Sequence, residues 1–195
     1  MKKGRKLVSI ILGVALTLQP FGGIEPAKAA DEVVIADTFP DAKFRNYVTE
    51  NFDTDKDGIL STEEIAAVTK IDVSKVNVIT DMTGVQVFTE LQTLNCAGQA
   101  LKALDVTKLE KLQVIDASKN QLQSFILPKS APDLWEVDID TNQITELTSL
   151  SEYGNLQILD VGSNNLTTLE LNQLSKLTNL DVSGNALTTL DLSAN

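Results

Sequence analysis

The sequence predicts an α+β protein in which a short helical cap is followed by a solenoid of parallel strands. Two observations lead to this prediction: an acidic loop stands between two helical segments, and an apolar pattern then returns every 21 or 22 residues. A third observation, a hydrophobic content of 43%, is ordinary for a folded protein and argues against a disordered chain.

The composition excludes several classes of function. The 195 residues include no histidine and one cysteine, and 27 acidic residues outnumber 16 basic ones, for a formal net charge of −11. Without histidine there is no serine–histidine–aspartate triad and no HExxH zinc helix. A lone cysteine permits no internal disulfide, and an acidic chain lacks the clustered Lys and Arg that nucleic acids require. We therefore expect neither catalysis nor a nucleic-acid partner.

Residues 1–29 are typical of a secretory signal peptide. Four positive charges precede an apolar run from Leu7 to Leu18, and Ala27-Lys28-Ala29 supplies a small-x-small cleavage pattern. The apolar run is shorter than the roughly 20 residues that span a bilayer. We expect cleavage before Ala30, a secreted or cell-surface protein, and no transmembrane segment in the mature chain.

Residues 30–70 are predicted to form the cap. Thr38-Phe39-Pro40-Asp41 is expected to open a helix with the proline in its first turn. Phe44, Val48 and Phe52 follow at intervals of four residues and predict one apolar helix face. The helix would lead directly into the acidic loop.

The loop from Asp53 to Glu64 resembles the twelve-residue calcium loop of EF-hands. Aspartates occupy positions 1, 3 and 5, glycine occupies position 6, and glutamate occupies position 12. The predicted metal ligands are Asp53, Asp55, Asp57, the backbone carbonyl of Ile59, Ser61 through a water molecule, and Glu64. These oxygen ligands suit calcium, which we expect as a structural cofactor of an EF-hand-like cap.

An alternative explanation of the loop remains open. Ser61 and Glu64 also form a capping box for the following helix, so Glu64 would then be only a cap. The aspartates would be no more than a solvated turn. A cap does not, however, account for aspartates at three alternate positions followed by glycine.

Residues 71–195 are predicted to form the solenoid. The consensus is Leu-x-x-Leu-x-Val-x-x-Asn-x-Leu-x-x-Leu-x-Leu, each copy beginning with a short parallel strand. About five repeats begin at leucines, and the last is incomplete: Leu91, Leu112, Leu134, Leu156, Leu177. A fainter earlier turn is expected from Val68 to Val85, with Val78 among its apolar positions. Cys96 stands at an inward position and is expected to be a buried small hydrophobe.

Asparagines recur where each coil turns sharply, at Asn120, Asn142, Asn164 and Asn185. Their amides are expected to hydrogen-bond to backbone groups along the stack.

Outward residues of the strands are the candidate protein-binding residues. Aspartates recur at one strand position, at Asp116, Asp138, Asp160 and Asp181. They would form either a solvated row with local hydrogen bonds or an acidic face for a basic partner. Trp135 is the one large aromatic residue expected at an exposed position of the repeats, and it would be either a binding anchor or a side chain packed against a neighbouring coil.

The signal peptide, the helix that begins near Phe39-Pro40-Asp41, the calcium loop and the repeats together resemble Gram-positive bacterial secreted or surface leucine-rich-repeat proteins, internalin-like in layout. The resemblance implies a helical cap over the first repeat and a role in protein binding or adhesion. The expected function is therefore a non-catalytic, secreted or cell-surface binding module for an unknown protein ligand.

Two other functions stay open: a binding arm of a longer secreted enzyme truncated at residue 195, and a calcium-dependent module whose repeats are only scaffold. Since the chain ends at Asn195 within its fifth repeat, we also expect self-association through an uncapped last coil.

Overall fold

The computed structural model describes residues 32–147 and 150–195. The predicted signal peptide and its cleavage site lie outside these residues. The described part begins with a small cap, whose elements are β1 (Val33–Val34), α1 (Ile35–Thr38), α2 (Ala42–Asn51), β2 (Ile59–Leu60) and α3 (Thr62–Ala67). The strands β1 and β2 pair antiparallel.

A parallel sheet of six strands follows in the described residues, one strand from each coil. Its strands are β3 (Lys70–Asp72), β4 (Thr93–Asn95), β5 (Val114–Asp116), β6 (Glu136–Asp138), β7 (Ile158–Asp160) and β8 (Asn179–Asp181). Each strand pairs only with its sequence neighbours, in the order β3 to β8. The predicted parallel-strand solenoid is confirmed.

The core of the solenoid is a stack of inward-facing aliphatic side chains. The middle residue of each strand points inward and is at most 1% exposed in five of the six strands: Ile71, Leu94, Ile115, Val137, Leu159. Since these residues are register partners, each coil buries its apolar side chains against the coils next to it. Cys96 is fully buried in this stack, and burial raises the pKa of its thiol.

The asparagine column connects consecutive coils by hydrogen bonds. The Asn142 amide nitrogen donates to the carbonyls of Ala117 in the preceding coil (3.0 Å) and of Ile139 in its own coil (3.1 Å). Its Oδ1 accepts a hydrogen bond from the Leu122 amide at 2.9 Å. The expected role of the column is therefore confirmed. Gln99 makes equivalent bonds to the first coil.

The chain turns sharply immediately before each column residue. The residue preceding the column has a positive φ in five coils: Gly98, Lys119, Thr141, Ser163, Gly184. Three of these are not glycine, with φ between 50° and 56°. The left-handed conformation costs about 1–3 kcal/mol for such residues, and the adjacent buried asparagine helps to hold it.

Aromatic packing fixes the cap to the first coil. The Phe39 ring stacks on Phe88 of the first coil with centroids 5.9 Å apart and meets Phe44 edge-on at 5.4 Å. The Tyr47 hydroxyl accepts a hydrogen bond from the Asp72 amide at 3.2 Å. Because β3 is the first strand of the parallel sheet, Tyr47 thereby satisfies one backbone amide at its free edge.

The structure corrects two details of the sequence analysis. The main helix of the cap begins at Ala42, with Asp41 as its N-cap, so Pro40 lies before the helix and not in its first turn. The Asp41 carboxylate accepts from the amides of Lys43 and Phe44, which makes it the better helix start. In the first coil, Val78 is 59% exposed and Ile79 is buried instead.

Candidate functional site

The loop between α2 and α3 brings three of the predicted metal ligands together. Asp53, Asp55 and Asp57 each direct a carboxylate oxygen to one place, and these oxygens all lie within 4.8 Å of one another. Left-handed φ angles at Lys56 (64°) and Gly58 (82°) fold the loop tightly enough for this.

Asp53 is the most constrained carboxylate of this cluster. It is only 4% exposed, and its Oδ2 accepts a hydrogen bond from the Gly58 amide at 3.1 Å. Its Oδ1 is buried and has no hydrogen-bond partner. A buried, unpartnered carboxylate oxygen beside two further carboxylates fits a bound cation, because a cation would offset the cost of burying the charge.

Glu64 and Ser61 take part in the capping box. The Ser61 hydroxyl accepts from the Glu64 amide at 3.2 Å, and Glu64 Oε2 accepts from the Ser61 amide at 2.9 Å. Glu64 Oε1 accepts from the amide and the hydroxyl of Thr54, each at 2.6 Å. These hydrogen bonds, the Thr54 hydroxyl foremost, lower the pKa of Glu64 to about 2. Glu64 therefore lies beside the loop as a carboxylate but outside the three-aspartate cluster.

The backbone of Ile59 lies in β2, directly after the cluster. Its amide donates to Asp57 Oδ1 at 2.8 Å. The peptide group before it is thus oriented by one of the predicted ligands. Ile59 pairs with Val34 of β1 in the antiparallel ribbon.

The outward side of the parallel sheet, called here the strand face, carries the predicted aspartate row. Asp116, Asp138, Asp160 and Asp181 are register partners on consecutive strands, so neighbouring backbones lie about 4.8 Å apart. Each carboxylate accepts from the amide two residues further on, for example Asp138 from Asp140 at 3.0 Å. The local hydrogen bonds of the solvated-row interpretation are therefore present.

The electrostatics of the row differ from strand to strand. Burial and the charges of Asp116 and Asp160 raise the pKa of Asp138 to about 6. Burial and the charge of Asp181 raise the pKa of Asp160 as well. Asp181 is exposed, and hydrogen bonds from Ser183 lower its pKa. The middle of the row is therefore the place where negative charge is least well tolerated.

Trp135 lies immediately before β6 and is half-buried. Its backbone amide donates to the Gln113 carbonyl, and its carbonyl accepts from the Gln157 amide. The backbone of Trp135 is therefore part of the hydrogen-bond ladder between coils. The partial exposure of the residue agrees with both sequence interpretations.

Sequence reasoning missed two features near these sites. The strand β1 is two residues long and offered no alternating pattern that would have predicted it. Asp140 follows β6, and its Oδ1 is buried without a hydrogen-bond partner beside the aspartate row. The sequence signal that could have indicated this is the position of Asp140 in the repeat, two residues after Asp138.

Comparison with known proteins supports the repeat assignment. The family model described as Leucine Rich Repeat matches residues 155–177. A protein phosphatase 1 regulatory inhibitor subunit PPP1R7 homolog of Arabidopsis thaliana is 35% identical over 78 residues, which are 39% of this chain and 24% of that protein.

Two solved structures from Listeria monocytogenes share the fold. The functional domain of InlJ has a TM-score of 0.63 at 27% identity, over 84% of this chain and 41% of that one. The internalin InlF has a TM-score of 0.68 at 23% identity, over 81% of this chain and 47% of that one. The chain thus spans less than half the length of each.

The stacked coils, the asparagine column and the family match define the leucine-rich-repeat fold of this chain. Within that fold, the chain is similar to the InlJ domain of Listeria monocytogenes. In the part of the chain that the structure describes, no helix has the length and apolar character needed to cross a membrane.

Proposed function

We propose that this protein is a secreted or cell-surface binding module, without catalytic activity, that recognises a protein partner through its strand face and is stabilised by calcium in its cap. The observation that carries the proposal is the combination of a six-stranded parallel repeat sheet with a cap loop that holds a buried, unpartnered carboxylate oxygen. Repeat solenoids use such extended surfaces for binding.

The partner that best fits the strand face is a basic protein segment. The aspartate row presents four carboxylates in register, and Glu136 adds another on β6. A segment rich in Lys and Arg would relieve the repulsion among these charges. Trp135, at the margin of the row, would supply apolar contact.

A peptide titration tests this binding surface. The protein should bind a lysine- and arginine-rich peptide, should not bind a glutamate-rich peptide of equal length, and should bind more weakly as salt rises. Asp160→Asn is expected to weaken binding several-fold. The matched control is Asp105→Asn, which removes the same charge from the return segment of the second coil, away from the strand face. Equal losses in both variants would show that only net charge matters and would reject the strand face as the site.

The calcium part of the proposal rests on the loop geometry. The cluster of Asp53, Asp55 and Asp57 concentrates three carboxylates around one point, and the Asp53 Oδ1 atom is left for a cation. The Ile59 carbonyl, Ser61 and Glu64 would complete the oxygen set, and Glu64 would exchange its bonds to Thr54 for the metal. A site of this kind in an extracellular module needs an affinity of only about 10⁻⁴–10⁻³ M.

Thermal unfolding with calcium and with a chelator tests the metal site. A site with a Kd of about 10⁻⁴ M should add about 1.4 kcal/mol of stability at about 1 mM calcium. Asp53→Asn should abolish the response, while Glu63→Gln, on the neighbouring exposed side chain, should keep it. Identical melting curves of the wild-type protein under both conditions would refute the calcium proposal.

A further inference from the structure

The cap contains a short strand that has no role in either proposed site. The strand β1 pairs antiparallel with β2, with Val33 opposite Leu60 and Val34 opposite Ile59. β2 is the segment of the calcium loop that carries the predicted carbonyl ligand. The pairing therefore joins the N-terminal end of the described chain to the predicted metal site across 24 intervening residues.

A single peptide group forms this junction. The Gly58 carbonyl accepts a hydrogen bond from the Ile35 amide at 3.1 Å. The amide of the same peptide group, that of Ile59, donates to Asp57 Oδ1 at 2.8 Å. The orientation of this group is thus set on one side by β1 and α1, and on the other side by a predicted ligand.

The two strands are also anchored on the same apolar core. Leu60 of β2 is fully buried, Val33 of β1 packs against the same core, and Ile35, which directly follows β1, is 3% exposed. Displacing β1 would therefore expose apolar surface and the edge of β2 together. Among the described strands, β1 alone pairs with β2. Docking of β1 therefore contributes to the order of this end of the loop.

We infer that β1 completes the calcium loop, so that calcium binding and the docking of the N-terminal strand stabilise each other. The inference rests on the proposed calcium site. Without a cation, the clustered carboxylates repel one another and loosen the loop, and the peptide group that holds Ile35 loosens with it. With a cation, the loop is fixed and presents β2 for pairing. By linkage, calcium must strengthen β1 docking by the same factor by which docking strengthens calcium binding, so a variant that undocks β1 must lower the calcium affinity.

The first measurement is amide hydrogen exchange in the wild-type protein. Calcium should slow exchange of the Ile35 amide by about fivefold or more, the lower range of typical coupling between sites. The second measurement is calcium titration by calorimetry of Val34→Gly, which weakens the strand without a steric conflict. Its calcium affinity should fall by about fivefold or more. The matched control Val78→Gly changes a 59% exposed valine outside the ribbon and should bind as the wild type does.

The outcomes separate the inference from the site on which it rests. If the wild-type protein binds no calcium, the metal site itself is refuted and the coupling with it. If calcium binds but leaves Ile35 exchange unchanged, the coupling alone is overturned. If Val34→Gly fails to fold, the exchange measurement in the wild-type protein still decides. Equal losses of affinity in Val34→Gly and Val78→Gly would also overturn the coupling.

Discussion

Replacing Asp138 by asparagine should stabilise the protein at neutral pH. Asparagine keeps the oxygen that accepts from the Asp140 amide but removes the charge that faces Asp116, Asp160 and Asp140. A pKa raised from 3.8 to about 6 means that the folded state binds this proton more tightly than the unfolded chain does. The ionised side chain therefore destabilises the fold above pH 6, and the penalty disappears as the pH falls toward 4.

The size of the effect follows from the same values. A rise from 3.8 to about 6 corresponds to about 3 kcal/mol at 1.36 kcal/mol for each pKa unit. Because Asp138 is only half-buried, solvent screening reduces this to about 1–2 kcal/mol. At pH 5 about half of the difference between variant and wild type should remain.

The assay is denaturant unfolding of the wild type, Asp138→Asn and Asp181→Asn at pH 7.5, 6 and 5. Asp181 belongs to the same row but is exposed, and its pKa is lowered, so its replacement should bring no gain. A variant Asp138→Asn no more stable than the wild type at pH 7.5, or a gain that does not change with pH, would refute the reasoning. An equal gain from Asp181→Asn would assign the effect to net charge.

Two further predictions concern the backbone. Asn142→Ala should lower the free energy of unfolding by about 3 kcal/mol, because it leaves buried backbone groups of two coils without partners. The control Asn165→Ala, at an exposed position of the neighbouring turn, should change the free energy of unfolding by less than about 0.5 kcal/mol. Gly84→Ala should lower the free energy of unfolding by about 3 kcal/mol or more, since φ is 101° and the new Cβ would lie 2.5 Å from Phe39 Cδ1. Gly154→Ala, with open space around the new Cβ, is the control. Thermal unfolding measures all four variants. Losses as small as those of the controls would contradict either argument.

The solenoid could be predicted from the sequence because its signal is repeated. The leucines at the start of each copy and the asparagine after each strand recur often enough to fix the period and the inward positions. The first coil lacks this regularity: Leu94 follows Ile71 by 23 positions, and its core residue is Ile79 where Val78 was predicted. One additional residue there is enough to shift which aliphatic side chain points inward.

The candidate metal cluster could also be predicted, because its ligands are close in sequence. The contribution of β1 could not, since Val33–Val34 is too short to show a pattern and its partner lies far along the chain. The positive φ angles at Lys119, Thr141 and Ser163 could not be predicted for another reason. Sequence reasoning looks for glycine at a positive φ, whereas here other residues adopt it beside a buried asparagine.

The asparagine column has a consequence for how proteins of this kind change length. Each column residue bonds backward to the coil before it and accepts from that same coil, as Asn142 does with Ala117 and Leu122. Every unit of 21 or 22 residues therefore contains the side chain whose hydrogen bonds attach it to the preceding coil. An in-frame duplication or deletion of a whole unit would recreate the same bonds at the new junction, so genetic recombination could lengthen or shorten the array without inventing a new contact.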